Sequence, residues 1–239
     1  MAVEYVLLLI GAFLAAAVSG SAGFGGALLL LPFLTAVVGA KEAVPLLTIA
    51  QLIGNLSRAG FGFRQIRWRP VALFAAGALP ASILGALSFI RLDRAMVTRG
   101  IGAVILVTVL LRLSGRLDFK PSGRLLVIGG AVTGFLSGVA GSAGPLGAAV
   151  FLSLGLPPVS YVASEASTAL VMHAAKIGVY GWSMDLTRDF WLLGAALGGA
   201  MIAGTWTAKH LIEHVPSKAF ERYVSVLLIV ISGYMVLHG

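Results

Sequence analysis

Four long stretches of this chain contain no charged residue, and they restrict its fold more than any other feature. They cover residues 5–40, 70–90, 125–164 and 190–208. A helix needs roughly 20 residues to cross a hydrocarbon core about 30 Å thick, so each stretch is long enough to span a membrane. Backbone groups in lipid must be hydrogen-bonded within the protein, and barrel strands would alternate polar and apolar residues. The stretches therefore predict membrane-spanning helices.

The composition also indicates a membrane protein. Charged residues make up 11% of the chain and hydrophobic residues 59%, whereas about 25% of the residues of a soluble domain are charged. Lipid must therefore cover most of the surface, and we expect a multi-pass membrane protein. The net charge of +8 does not indicate a nucleic-acid partner, because the basic residues lie between the apolar stretches, where they determine topology.

A duplicated tetrapeptide divides the chain into two halves. The sequence Gly-Ser-Ala-Gly at residues 20–23 recurs letter for letter at residues 141–144, and each copy interrupts an apolar stretch. As one helix, residues 5–40 would be about 54 Å long, so we expect glycine to break both stretches into pairs of short helices. We predict two membrane repeats that form one transport domain, residues 1–120 and residues 121–239.

Each repeat is predicted to contain about five helical elements. After the broken pair come three further spans, and an odd number of elements inverts the second repeat relative to the first. The predicted fold class is an all-α integral membrane protein with two inverted-topology repeats and about eight to ten spans, depending on whether the broken pairs cross fully or re-enter. The basic residues favour a topology with both termini outside. The further spans are 44–61, 70–90 and 96–112 in the first repeat, and 159–180, 189–208 and 219–237 in the second.

A polar stripe follows the first broken pair. Thr48, Gln51, Asn55 and Arg58 are spaced so that all four lie on one face of a helix. Hydrocarbon cannot solvate such a stripe, so it is expected to face other helices or a water-filled path. Hydrogen bonding between helices is the alternative to a binding role, and Arg58 could also extend to the interface.

The second half repeats this stripe imperfectly. Glu165, Thr168, Met172 and Lys176 also share one helical face. Thr168 aligns with Thr48 and Lys176 aligns with Arg58, at separations that differ by two residues. A repeated polar pattern on two related helices favours a selected function.

Two residues of the second stripe region are proton-coupling candidates. A carboxylate at the bilayer centre costs about 2.5–3.5 kcal/mol, so Glu165 is expected to be paired with a cation or protonated, and it could carry a proton. Capping near an interface is the alternative for Glu165. His173 could relay protons or serve as a packed hydrogen-bonding residue.

The glycine clusters predict an anion site. A helix is expected to start after each tetrapeptide, and its first N–H groups lack acceptors and carry positive potential. Glycine lets an anion approach the backbone closely, although it serves close helix packing equally well. The candidate substrate-binding residues are Ser21, Gly23, Gly25, Gly26, Thr48, Gln51, Asn55, Arg58, Ser142, Gly144, Thr168 and Lys176.

The sequence contains no pattern typical of catalysis. The chain has no cysteine, no paired-histidine metal motif and no nucleotide-type phosphate loop. We therefore predict that the protein is not an enzyme and uses neither a metal nor a cofactor.

In these glycine-rich, basic and apolar segments the chain resembles the sulfite exporter TauE/SafE family of membrane transporters. The resemblance covers nearly the whole chain and follows the order of the two repeats. It rests on the glycine-rich run at residues 20–26, the Pro-Phe-Leu at 32–34, the basic segment 64–69, residues 77–81 with Gly85, and the weaker second copy at 138–147.

The resemblance implies a multi-pass secondary transporter of the cell (inner) membrane, commonly an exporter, of small anions such as sulfite, sulfonates and related organic acids. We expect alternating access around a midplane site between the repeats, with membrane lipid and a coupling proton or other ion as further partners. An anion channel and a non-catalytic membrane scaffold are the alternatives. The small-residue face at residues 194–204 could pack within a monomer or between the subunits of a homodimer.

Overall fold

The computed structural model describes residues 2–88, 122–183 and 187–238, together with residues 99, 103, 106 and 110. In these ranges the chain is all-helical, as predicted, and a short 3-10 turn at Phe63–Gln65 follows the third helix. The nine α-helices of the described ranges are α1 (Ala2–Ala22), α2 (Gly26–Val38), α3 (Ala40–Phe61), α4 (Trp68–Ser88), α5 (Gly123–Ala140), α6 (Gly144–Leu152), α7 (Pro158–Ser183), α8 (Arg188–Ile212) and α9 (Ser217–His238).

Most of the predicted spans coincide with helices. Those at 44–61, 159–180, 189–208 and 219–237 fall within α3, α7, α8 and α9, and the span at 70–90 corresponds to α4 as far as residue 88. The span at 96–112 lies outside the described residues apart from four isolated positions. Within the described part, three helices are long and apolar enough to cross a membrane by length and composition, namely α1 from residue 4, α4 and α8.

Both long apolar stretches are broken near the predicted glycines. Gly23 follows α1 with a φ of 86°, and Gly141 follows α5 with a φ of 83°. This left-handed backbone strongly favours glycine and is a common way to end a helix. Three residues beyond each of these glycines the next helix begins, α2 at Gly26 and α6 at Gly144.

The duplicated tetrapeptides are not structural equivalents. Gly20 lies inside α1, whereas Gly141 is the residue that ends α5. The residue that corresponds to Gly141 is Gly23, which precedes it by 118 positions rather than by the 121 positions that separate the two copies. The two helix breaks correspond at a separation of 118 positions, which is three fewer than the separation of the two tetrapeptides.

Glycine contacts bring the helices close together. α4 packs along α5 and α1 packs along α8, and these are the two most extensive helix pairs. A β-carbon at Gly85 would overlap the carbonyl oxygen of Phe135, and one at Gly204 would overlap that of Phe13. Small residues therefore allow backbones to touch. In α8, Gly194, Gly198 and Gly204 pack against other helices of the chain, whereas Ala195, Ala196 and Gly199 are exposed.

The two helices with polar stripes lie at the centre of the fold. α3 contacts both α7 and α8, and α7 contacts both α3 and α4. The apolar side chains of α1, α4 and α8 that face outward, such as Leu14, Leu84 and Trp206, are exposed. This arrangement keeps the polar residues of α3 and α7 away from the lipid-facing surface.

Candidate functional site

A small cavity lies between the two helix breaks. Residues 23–27, which cover the first break and the start of α2, line it, and so do Ser142 of the second break and Gly144 at the start of α6. Its volume is about 30 Å³, and one water molecule requires about 10–15 Å³ on this measure. The cavity therefore has room for roughly two waters. Its other lining residues come mainly from α3 and α7 and include Gln51, Asn55, Arg58, Glu165, Ala169, Met172 and His173.

The first residues of α2 and α6 meet at this cavity. Gly26 and Gly144 both line it, and a β-carbon at Gly144 would lie 3.6 Å from the Cβ of Phe24. Their donor capacities differ, because Pro145 stands near the start of α6 and has no N–H group. The N-terminus of α2 therefore offers more free backbone donors to the cavity than the N-terminus of α6.

Arg58 of α3 links that helix to the first helix break by hydrogen bonds. Its Nη1 donates to the carbonyl oxygens of Ser19 at 3.1 Å and Gly23 at 2.7 Å, and its Nη2 donates to the Oδ1 of Asn55. The Ser19 carbonyl also accepts from the N–H of Gly23, so the cation shares that acceptor, satisfies the carbonyl of Gly23 and complements the negative end of the α1 dipole. Arg58 thus holds the break in shape while it lines the cavity.

Lys176 has the same relation to the second break. Its Nζ donates to the Oγ of Ser137 at 3.1 Å and to the carbonyl of Gly141 at 2.9 Å. The partners precede Lys176 by 39 and 35 positions, and the partners of Arg58 precede it by the same numbers. The two cations are therefore counterparts separated by 118 positions. In this register the two threonines, Thr48 and Thr168, are not counterparts.

Glu165 is paired with Arg58. Its Oε2 lies 3.6 Å from the Nη1 of Arg58, and the two side chains are 3% and 4% exposed. This oxygen accepts no hydrogen bond from any residue that the structure describes. The contact is therefore a long ion pair rather than a hydrogen-bonded one, and Glu165 faces the cavity rather than an interface.

Two further polar groups of the cavity lack partners. The Nε2 of Gln51 and the Nδ1 of His173 are buried and make no hydrogen bond within the described part of the chain. Buried polar groups in proteins almost always have a partner, and an exception calls for an explanation. A ligand or water in the cavity would supply one.

Several candidate residues do not reach the cavity. Thr48 and Thr168 donate their hydroxyl groups to backbone carbonyls of their own helices, at 2.8 Å and 2.7 Å. Ser21 is hydrogen-bonded to Tyr223 of α9 at 2.8 Å. Lys176 is fully buried behind the second break. These four residues stand outside the lining of the cavity.

Other lining residues were not among the sequence candidates. Ser19 and Ser137 each lie four positions before the glycine that ends their helix, and they are 118 positions apart. An alignment on the two buried cations instead of the tetrapeptide would have identified both. The apolar lining residues are Phe24, Ala27, Ala169 and Met172. In the same alignment Phe24 corresponds to Ser142 and Ala169 to Gln51, and Met172 lies on the second stripe.

Helices broken around a buried polar cavity, in a chain with helices able to cross a bilayer, are typical of membrane transport proteins. The chain belongs to the sulfite exporter TauE/SafE family, whose model matches residues 8–235. The members of this family are membrane-bound transporters of sulfite or related anions and not enzymes. Comparison with curated proteins and with solved structures gives no match.

Proposed function

We propose that the protein is a secondary transporter that exports sulfite, a sulfonate or a related small organic acid. The observation that carries this proposal is the Gln51 amide nitrogen, which has no partner among the described residues, in a cavity that Arg58 and the N-terminus of α2 also line. An amide donor, a guanidinium and free backbone N–H groups together favour an anion with several acceptor oxygens. The cavity's small volume favours a compact head group such as that of sulfite.

Binding of an anion would compete with the ion pair inside the site. Arg58 and Glu165 are 3.6 Å apart, so an anion that engages Arg58 leaves the carboxylate without its counter-charge. A buried unpaired charge is strongly unfavourable. Proton uptake by Glu165, with His173 as a relay, would remove that charge, and we propose these two residues for proton coupling.

The membrane potential favours export. Each elementary charge moved across the membrane gains or loses about 2.3 kcal/mol per 100 mV. A dianion that travels with one proton still carries one negative charge outward from a negative interior. Sulfite export could therefore be driven electrically even when a proton accompanies the anion.

We propose alternating access between two inverted repeats, residues 1–120 and 121–239, with the site between them. Three observations support this arrangement. The capping cations, their serines and the glycines that end the broken helices recur at one separation. In this arrangement α1 corresponds to α5 and α4 corresponds to α8. The two most extensive helix pairs, α4–α5 and α1–α8, are therefore equivalent to each other. The N-termini of α2 and α6 meet at one cavity, as inverted helices would.

Anion-dependent stability of the purified protein tests the binding site. Sulfite or methanesulfonate should raise the melting temperature in detergent relative to chloride, because both anions have oxygens for the donors of the cavity. Asn55→Ala should reduce this shift, since Asn55 positions Arg58. Ser57→Ala is the matched control, because its hydroxyl donates to the carbonyl of Gly54. An equal shift in both variants would contradict the proposed site.

Flux in proteoliposomes separates a transporter from a channel. A transporter with an enclosed site should give saturable efflux of sulfite that responds to the membrane potential and to a pH gradient. Non-saturable flux with measurable conductance would instead indicate a channel. No anion flux under either gradient would contradict a transport function.

A further inference from the structure

A second pocket lies beside the candidate site, and Arg58 lines both. Its volume is about 20 Å³, which is enough for about one water molecule. It lies where α3 and α8 end and where α7 begins. Its lining residues are Gly20, Arg58, Phe61, Gly62, Val159, Val162, Thr205, Lys209 and Ile212.

The polar groups of this pocket extend from the interior towards the surface. Arg58 is buried at its inner end, and Lys209 is 31% exposed at its outer end. Thr205 is 3% exposed, and its hydroxyl has no hydrogen-bond partner among the residues of the described ranges. Two cations with a buried free hydroxyl beside them suit an anion in transit.

Lys209 is held near the rim of the pocket. Its Nζ lies 3.3 Å from the Oε1 of Glu213 and 5.8 Å from the ring centroid of Phe61. Because the pair with Glu213 is exposed, it contributes about 0–1 kcal/mol, so an incoming anion could replace the carboxylate at little cost.

The walls of the pocket keep it narrow. A β-carbon at Gly20 would lie 2.8 Å from the Cβ of Ala208, and one at Gly62 would lie 2.6 Å from the Cβ of Ala163. The helices therefore touch on either side of the pocket. An anion can pass only when α1 and α8, or α3 and α7, move slightly apart.

In the corresponding region on the other side of the cavity, the described residues form a packed cluster. Val44 and Tyr180 are the counterparts of Val162 and Gly62, by the 118-residue separation that relates the two capping cations. They pack with Ala86 into a buried cluster. In the part of the chain that the structure describes, the second pocket therefore differs from this cluster, because the pocket has room for a water and holds polar groups, whereas the three side chains of the cluster are buried against one another.

We infer that the second pocket is a transit subsite for a small oxyanion, through which the anion passes between the cytoplasm and the central cavity. Thr205 and Lys209 would contact the anion there before Arg58 does. This inference rests on the proposed transport function. The cytoplasmic assignment follows from the basic residues Arg64, Arg67 and Arg69, which follow α3 at the same end of the molecule.

Substitutions in α8 test the subsite by transport. Thr205→Val should lower sulfite flux in proteoliposomes about tenfold, the loss expected for one hydrogen bond to a charged group. Thr207→Val is the matched control, because the Thr207 hydroxyl is exposed and donates to the carbonyl of Ala203. Lys209→Gln should raise the KM for sulfite, whereas Glu213→Gln should not.

The same variants should keep anion-dependent thermal stabilisation, because that measurement reports the central cavity. Flux in Thr205→Val equal to that in Thr207→Val would overturn the subsite while leaving transport itself established. If the unsubstituted protein neither transports sulfite nor is stabilised by it, the proposed function fails, and the subsite fails with it.

Cysteine accessibility provides a second test, since the chain contains no cysteine of its own. Val162→Cys and Val44→Cys place one thiol in each of two corresponding positions with little change in volume. An anionic, membrane-impermeant methanethiosulfonate should modify Val162→Cys faster, and methanesulfonate should slow that reaction; this anion serves as the protecting ligand because sulfite itself reacts with thiosulfonates and disulfides. Equal rates for the two variants, or no effect of methanesulfonate, would overturn the proposed route.

Discussion

The carboxylate of Glu165 lies 3.6 Å from the guanidinium of Arg58, and both side chains are buried. The same guanidinium donates to two backbone carbonyls at the end of α1. One cation therefore stabilises the helix break and balances the charge of the cavity. A change at either residue should affect both the stability of the protein and its response to anions, and the two effects can be measured separately.

Removing only the cation should strongly destabilise the fold. Arg58→Met leaves Glu165 unpaired and removes the donor to the carbonyl of Gly23, so we expect a loss of about 3–5 kcal/mol in the free energy of unfolding. The double variant with Glu165→Leu should recover part of this loss, because it removes the unpaired charge. Denaturation in mixed micelles measures both. The exposed cation Lys209 provides the control, since Lys209→Met should cost less than about 1 kcal/mol.

Replacing Gln51 by an apolar residue should have opposite effects on the stability of the protein and on sulfite binding. Its Nε2 is buried without a partner in the part of the chain that the structure describes, and such a group costs about 1–3 kcal/mol. Gln51→Leu should therefore leave the melting temperature equal or higher and weaken sulfite binding about tenfold or more. Titration by thermal shift measures both quantities.

Thr48 provides the comparison for Gln51 on the same helix. Its hydroxyl already donates to the carbonyl of Val44 at 2.8 Å, so Thr48→Val should not change sulfite affinity. Equal affinities for Gln51→Leu and the unsubstituted protein would show that the amide does not contact the anion.

Glu165 should determine the response to a pH gradient. Glu165→Gln keeps the shape of the side chain but cannot gain or lose a proton. Sulfite flux in this variant should continue down a concentration gradient and no longer respond to a pH gradient, which proteoliposome assays can resolve. Glu42→Gln is the control, because Glu42 is exposed near the start of α3. A response equal to that of the unsubstituted protein would exclude Glu165 as the coupling group.

The helices and the residues at the centre of the site could be predicted from the sequence for simple reasons. Lipid requires long apolar helices, and a polar stripe must turn away from lipid, so the periodicity of α3 was sufficient to identify Gln51, Asn55 and Arg58. The breaks were predictable because glycine is suited to a left-handed backbone between two helices.

Local hydrogen bonds and register were not predictable in the same way. A threonine in a helix can donate to a carbonyl one turn earlier, as Thr48 does, and spacing alone does not distinguish this from a hydroxyl free for a ligand. The repeated tetrapeptide predicted the wrong alignment of the two repeats, because the same four residues stand at different positions relative to the end of the helix. The site contains Ser19 rather than Ser21, since α1 continues to Ala22.

Glycine substitutions should distinguish the breaks from other glycines of the chain. Gly23 and Gly141 have φ values of 86° and 83°, and a side chain in this conformation costs about 1–2 kcal/mol. Gly23→Ala should cost more than Gly141→Ala, because its β-carbon would lie 2.6 Å from the ring of Tyr161, whereas that of Gly141 would lie 3.1 Å from Val44. Melting temperatures in detergent provide the measurement.

Gly178 in α7 is the matched control for these substitutions. A β-carbon there would have no atom within 4 Å, and alanine is favoured over glycine by about 1 kcal/mol inside a helix. Gly178→Ala should therefore leave the melting temperature unchanged or raise it. Sulfite binding should fall in Gly23→Ala, because the substitution displaces the carbonyl that orients Arg58, and should stay unchanged in Gly178→Ala. Normal binding by a folded Gly23→Ala variant would mean that the first break does not shape the site.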